Sequence, residues 1–522
     1  IYYIIFYLLY YMNKFFYTDK ILSAFGLYYL YSIFFNSLYN KFKLYNLLKN
    51  TPYVKDIINK KIESAKEEID KIFNLPNHQI IRSLPDNGLE ISEIYNLQNK
   101  YLMMREFEPS EGQISGTIYK KFTNQYLSFM MQTYKKFMFS NPLHPDVFPD
   151  IRIMESEIIN MVKKMFNGSM DVCGNVTSGG TESIILACKT YRDWARDVKN
   201  ISNPEIIVGD SVHASFFKAC HYLNIKYIII PNNKDKEIDC NLIEKKINCN
   251  TIALVGSAPS FAHGVMDDIE KLSELALKYK IGLHVDCCLG GFVVPFLKKM
   301  NLISKNFDFT LEGVTSISAD MHKYGYSLKG SSAIMYRSLA LRKYQYSIYD
   351  KWNGGIYATS NMTGTRSGAI VAATWSGLLY HGYSKYEMYA KQLFELKNNI
   401  VNQSKEIDGL EIMGNPISTV VAFDSKQYDI YLVANFMSKK KWNLNILQNP
   451  KSFHICLTQN HLHPEFLENF MIDLNLAVKF AKENKDNKIQ GLCAIYGMAV
   501  QFNDKDAIDE IVATYLDSLT YL

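Results

Sequence analysis

Between residues 170 and 340 short apolar runs alternate with stretches of helical spacing. The runs are 206–209 (IIVG), 227–230 (YIII), 251–256 (TIALVG), 281–286 (IGLHVD), 314–319 (VTSISA) and 332–336 (SAIMY). Runs of this length, separated by amphipathic segments, predict an α/β fold with a largely parallel sheet covered by helices. Beyond about residue 375 long helical patterns surround two strand-like stretches, "STVVAF" and "SFHICLT", which predicts a smaller α+β domain. No fixed-period repeat is present. Upstream, the charged segment 53–74 predicts a solvated linker helix, and residues 100–150 predict loops, with prolines at 142, 145 and 149 opposing regular structure.

The beginning of the chain has a different pattern. Residues 21–40 contain no charge, and twenty helical residues at ~1.5 Å each reach across ~30 Å of hydrocarbon. The expectation is a membrane span, with a signal peptide and a Tyr-rich buried helix as rivals. Lys41, Lys43, Lys49 and Lys55 follow the run, so the positive-inside bias places the remainder in the cytoplasm. The expected organisation is a membrane segment at 1–50, a linker helix and N-terminal segment at 51–150, a large domain at 151–374 and a small domain at 375–522.

Composition narrows the function classes. A net charge of +5 over 522 residues, with no basic block, offers no footprint for nucleic acid. The nine cysteines form no C-x-x-C pair and no zinc-like spacing with histidine, so no metal site is expected and a reducing compartment is. Cys287 and Cys288 read either as small buried residues or as a reactive pair.

In parallel sheets ligands sit beyond the carboxyl ends of the strands, so residues just after the apolar runs are read first for chemistry. "NVTSGGTES" (175–183) precedes a helical segment, and Gly180 and Thr181 there can cradle a phosphate on backbone amides or form only a tight turn. The G-K-[ST] ending of a nucleotide-triphosphate loop is absent. Asp286 ends an apolar strand, where it can either hold a ring nitrogen protonated or cap a helix. In "SADMHKYGYSLKGS" (318–331), Lys323 follows a strand beside His322 and Asp320. A lysine shielded from water has a depressed pKa and becomes a nucleophile toward an aldehyde, although a lone lysine is far more often a solvated surface residue. Cradle, carboxylate and lysine in this order on one sheet edge are the parts that pyridoxal 5'-phosphate requires.

The runs "CGNVTSGGTESIILACKTYRDWA", "HVDCCLGGFVVPF", "GVTSISADMHKYGYSLKGSS" and "GGIYATSNMTGTRSG" resemble the sphingosine-1-phosphate lyases, within the pyridoxal-phosphate-dependent group II decarboxylase superfamily. The likeness extends from about residue 100 to "LCAIYGMA" at 492–499. It implies a fold type I transferase architecture and a carbon–carbon lyase acting on phosphorylated sphingoid bases. It further implies a homodimer anchored by a single pass in the endoplasmic reticulum membrane, with the catalytic part in the cytosol. By the same resemblance Lys323 binds the cofactor aldehyde, Asp286 faces its pyridine nitrogen, and His213 stacks on its ring. Gly180, Thr181 and His322 hold its phosphate, joined by Thr365 from the other subunit. Tyr119, His144 and Lys329 would grip the substrate phosphate. Similar proteins have serine at the Thr365 position and proline at that of Ser367, and bacterial relatives can have tyrosine at that of Phe261, so the stiffness of the first loop and one hydroxyl contact are in question. Two rivals stand beside this reading: an amino-acid decarboxylase sharing Lys323, His322 and Asp286, and a catalytically silent membrane scaffold.

Overall fold

The computed structural model describes residues 52–73, 81–105, 107–108, 112–484 and 505–520. They divide into two compact units, those before Asn87 together with those beyond 504, and those from Asn87 to Asn484. The expected span at 21–40 and the motif at 492–499 lie outside the described residues. Among the described residues no helix is long and apolar enough to cross a membrane.

In the first unit, helix Pro52–Phe73 is not the solvated linker that its charges suggest. Ile62 and Ile69, two turns apart on one face, are buried, and Lys66 pairs at 3.0 Å with Glu510 of helix Lys505–Asp517. A narrow apolar stripe is enough to dock a helix whose other faces are polar.

The second unit is built on a seven-stranded sheet with strand order β1-β7-β6-β5-β4-β2-β3. The strands are β1 (Cys173–Thr177), β2 (Glu205–Gly209), β3 (Lys226–Ile230), β4 (Thr251–Ser257), β5 (Gly282–Asp286), β6 (Ser316–Ala319) and β7 (Ser332–Tyr336). Neighbours from β3 to β6 run parallel, and β7 alone runs antiparallel to both β6 and β1. β2, β4, β5 and β6 are buried along their whole length, as strands covered on both faces must be, which is why they read as continuous apolar runs. All six expected strands are present. β1 was not expected, because "CGNVT" carries an asparagine, a threonine and a glycine where an apolar run would stand.

Helices α1 (Asn124–Phe137), α2 (Pro149–Met165), α3 (Gly180–Lys199), α4 (Ser215–Leu223) and α5 (Ile269–Tyr279) surround this sheet. α1 lies where the sequence suggested loops; Thr123 caps it by accepting from the Tyr126 amide, and it buries Tyr126 and Met130. The 37-residue α6 (Gly368–Ser404) follows, with non-helical backbone at Gly382 where φ is +58°. The α+β part has the antiparallel sheet order β10-β11-β13-β12, covered by α7 (Ile430–Lys439) and α8 (Phe466–Glu483). Its strands β11 (Val420–Asp424) and β13 (Ser452–Cys456) are the two stretches expected there, joined at their edges by the short β10 (Glu411–Ile412) and β12 (Asn445–Leu447). An exposed hairpin, β8 (Ser347–Trp352) with β9 (Gly355–Thr359), precedes α6. The carboxyl ends of β5 and β6 meet the start of α3, and the candidate site forms there.

Candidate active site

A cavity of about 370 Å³ opens at that edge, lined by Ser178, Gly180, Thr181, His213, Asp320, His322 and Lys323 among others. The turn between β1 and α3 forms one wall. A Cβ at Gly180 would stand 2.7 Å from Cys288 Sγ and 2.9 Å from Asp320 Oδ1, so only glycine lets α3 start this close to the β6 edge. The amides of the first turn of α3 then face the cavity with the helix dipole behind them. Glu182, buried in that turn, fixes its shape by accepting from the Ser178 amide at 2.6 Å and from the Met362 amide at 2.9 Å.

Lys323 and Asp320 form the charged centre. Lys323 Nζ lies 2.9 Å from Asp320 Oδ2, with side-chain exposures of 20% and 2%. Burial works against the lysine's charge, but the carboxylate outweighs it and holds the ammonium above the ordinary lysine range. The depression expected at Lys323 is therefore replaced by a rise. Burial likewise opposes charge on Asp320, and Lys323 followed by His322 draws it below the usual carboxylate range. Both partners thus report an ionised pair. Asp320 Oδ1 is buried with no hydrogen-bond partner among the described residues. His322 accepts the Ser331 amide on Nδ1 and turns Nε2 to within 3.6 Å of Asp320, and burial lowers its pKa.

His213 stands on the far side of the cavity, its Nδ1 accepting the Ser215 amide at 3.2 Å and its ring 6.3 Å edge-on from that of Phe261. Ser215 Oγ is also 2.9 Å from Thr181 Oγ1, which couples the two walls. Asp286, at the end of β5, does not line the cavity itself. Its Oδ1 closes the following turn by accepting the Cys288 amide at 2.9 Å, and Cys288 does line the cavity. The Cys288 amide and the Ser318 hydroxyl both meet Asp286 Oδ1, so the local turn and a ligand can be served by different oxygens.

Tyr119 and Lys329 also come together. Lys329 Nζ sits 5.1 Å from the centre of the Tyr119 ring and donates to the Thr117 carbonyl at 2.6 Å. Tyr119 packs edge-on against Tyr324, the residue after Lys323, with ring centres 4.8 Å apart. Burial raises the Tyr119 phenol well above its ordinary value, and desolvation followed by Lys323 lowers Lys329. His144 and Thr365 are not brought to these residues within the chain; both are exposed. Their loops do adjoin, since the Gly368 amide donates to the Ser140 carbonyl at 2.8 Å. Arg366, between Thr365 and Ser367, is held by a two-pronged contact with Glu155 at 3.0 and 2.8 Å, which anchors the loop where similar proteins use proline.

Sequence reasoning named Asp320 without giving it a role and did not single out Glu182. The S-x-x-x-E spacing from Ser178 to Glu182, at a helix start, was the available signal for the latter.

The pyridoxal-dependent decarboxylase conserved domain matches residues 120–426. Sphingosine-1-phosphate lyase 1 of Rattus norvegicus is 41% identical over 490 residues, covering 92% of this chain and 85% of the rat protein. The chain belongs to the sphingosine-1-phosphate lyase family. The Saccharomyces cerevisiae lyase is 36% identical, with 91% of this chain and 82% of the yeast protein covered. A solved sphingosine-1-phosphate lyase from Burkholderia pseudomallei superposes with a TM-score of 0.76 at 32% identity, covering 82% of this chain and 98% of that one. A Lactobacillus brevis glutamate decarboxylase, TM-score 0.67 at 17% identity, shares the fold. Membership makes this a pyridoxal 5'-phosphate enzyme and a carbon–carbon lyase. The cavity fits that cofactor: first-turn amides, the Thr181 hydroxyl, two imidazoles and an amine converge on it, over a glycine with no room for a Cβ.

Proposed function

We propose that this chain cleaves phosphorylated sphingoid bases between C2 and C3, giving a long-chain aldehyde and phosphoethanolamine. One observation carries the substrate class: beyond the cavity, where His322 joins Gly180 and Thr181, the same loop presents a second cation, Lys329, beside the ring of Tyr119. A cofactor phosphate and a substrate phosphate each need an anion site, and a single loop supplies both.

In this assignment Gly180, Thr181 and His322 hold the cofactor phosphate, His213 covers the ring, Asp286 faces the ring nitrogen and Lys323 takes the aldehyde carbon. The bound cofactor supplies an electron sink for carbon–carbon cleavage. Asp320 orients Lys323 Nζ and compensates its charge inside the cavity. Lys329 and the Tyr119 phenol, which burial keeps protonated, bind the substrate phosphate. A homodimer completes the site, with Thr365 of the partner subunit reaching the cofactor phosphate and His144 of the partner subunit the substrate phosphate. The exposure of both residues on adjoining loops supports this. Residues 21–40 span the endoplasmic reticulum membrane once and leave the catalytic residues in the cytosol, a reading supported by the uncharged run and the lysines after it.

Incubating the purified holoenzyme with dihydrosphingosine phosphate should release aldehyde and phosphoethanolamine in equal amounts. Carbon dioxide from aromatic or acidic amino acids, without aldehyde from the lipid, would establish the decarboxylase reading instead.

A further inference from the structure

Behind Asp286 runs a buried chain of polar groups that the assigned roles leave unused. Ser318 Oγ, on β6, donates to Asp286 Oδ1 at 3.3 Å. His284, two residues before Asp286 on β5, has Nε2 3.1 Å from Ser318 Oγ and Nδ1 2.7 Å from Ser316 Oγ. Ser316 Oγ lies 2.6 Å from the Tyr191 hydroxyl, which lies 2.7 Å from Thr315 Oγ1. His284, Ser316, Ser318 and Tyr191 are all buried. Alternation along β5 turns His284 and Asp286 to the same face, and the parallel register of β6 sets Ser316 beside His284 and Ser318 beside Asp286.

Proton counting gives this chain a direction. Each hydroxyl has one proton to donate, and burial pushes the His284 pKa down to about 4, so its imidazole is neutral and has one N–H. Ser318 directs its one proton at Asp286 Oδ1. Ser318 must then accept from His284 Nε2–H, which leaves Nδ1 to accept from Ser316, and Ser316 to accept from Tyr191. The opposite order would spend the Ser318 proton on His284 and set oxygen lone pairs against the carboxylate. The protons of Tyr191, Ser316, His284 and Ser318 therefore all point toward Asp286.

We infer that His284, Ser316, Ser318 and Tyr191 form a positioning relay that presents Asp286 to the cofactor's ring nitrogen and keeps a hydrogen bond directed at its carboxylate. The inference rests on the assignment of Asp286 to that nitrogen. A donor to the carboxylate stabilises its charged form, and that charge in turn holds the ring nitrogen protonated.

The test is the ¹⁵N chemical shift of the pyridine nitrogen in holoenzyme loaded with ¹⁵N-labelled pyridoxal phosphate, at one pH, with steady-state kinetics alongside. Ser318→Ala and His284→Leu should move the signal from the protonated toward the unprotonated position and lower kcat about tenfold to a hundredfold, the loss of one hydrogen bond to a charged group. KM should stay within about twofold. His284→Gln, whose amide N–H can replace Nε2–H, should restore most of the shift and the rate; Tyr191→Phe, at the far end, should have a smaller effect in the same direction. Asp286→Asn is the reference. If it shifts the signal while Ser318→Ala and Tyr191→Phe, which remove single oxygens, leave it in place, the relay is overturned and the Asp286 assignment stands. If Asp286→Asn leaves the signal in place, both are overturned.

Discussion

Replacing Asp320 by asparagine should release Lys323 from its protonated state. The pair is separated by 2.9 Å, and the carboxylate is what keeps the buried amine above the ordinary lysine value of 10.5. The protein itself shows what a lysine does in its interior without a carboxylate. Lys120, walled by the rings of Tyr126, Tyr326 and Tyr389, is lowered to about 8 by burial and then by Lys385, and Lys397 is lowered to about 8 by burial. Asp320→Asn should bring Lys323 to the same region. At pH 7.5 the neutral fraction of its amine would rise from at most ~0.1% to about a quarter, a gain of ~200-fold. Acetic anhydride acylates only neutral amines, so brief labelling of the cofactor-free protein, with mass spectrometry of the peptide that carries Lys323, reads this fraction directly. Lys120 and Lys397 serve as internal standards. An unchanged or slower labelling rate at Lys323 in Asp320→Asn would refute the claim that Asp320 controls this amine.

The same pair sets a pH window for stability. The folded pKa of Asp320 is depressed and that of Lys323 raised, so their contribution is present between the ordinary aspartate and lysine values and is lost as pH falls through the Asp320 value or rises through the Lys323 value. Unfolding free energies from urea titrations of wild type and Asp320→Asn should accordingly differ by about 3 kcal/mol near neutrality and begin to converge as pH falls below ~4. Glu182→Ala should cost ~2–4 kcal/mol in the same assay, because two buried amide donors lose a charged acceptor; a change under ~0.5 kcal/mol would contradict its role in shaping the turn. Gly180→Ala should weaken pyridoxal phosphate binding at least ~tenfold in a fluorescence titration, since the new methyl meets Cys288 and Asp320 within 3 Å. Lys329→Gln should raise KM for the lipid phosphate ~10–100-fold and leave cofactor affinity unchanged; a matching loss of cofactor binding would place Lys329 on the wrong phosphate.

The parallel core was legible because strands buried on both faces must be apolar throughout, and all six runs found in the sequence are strands of one sheet. β1 escaped because its polar Asn175 is satisfied by contacts distant in sequence, accepting from Arg342 and Gln345. The exposed hairpin Ser347–Thr359 lacks a buried face, so no alternation marked it. α1 resembles loop in the sequence because its buried positions are few and its neighbours are rich in proline. Gly180, Thr181, His213, His322 and Lys323 were found by motif and do share one cavity. What local sequence could not reveal was the sign of the Lys323 shift. That sign depends on the Asp320 side chain folding back across one turn to meet the amine, and Asp320, three residues away, had looked like one more polar neighbour. The exposure of His144 is likewise a property of the folded chain, since its motif alone would place it with Tyr119 and Lys329.

Borohydride reduction of the holoenzyme, followed by peptide mapping, tests the assignment of the cofactor-bearing amine most directly. The cofactor mass should appear on Lys323 alone, and Lys323→Ala should carry no fixed cofactor and release no aldehyde from dihydrosphingosine phosphate. Fixation on any other lysine, or aldehyde release by Lys323→Ala, would contradict it.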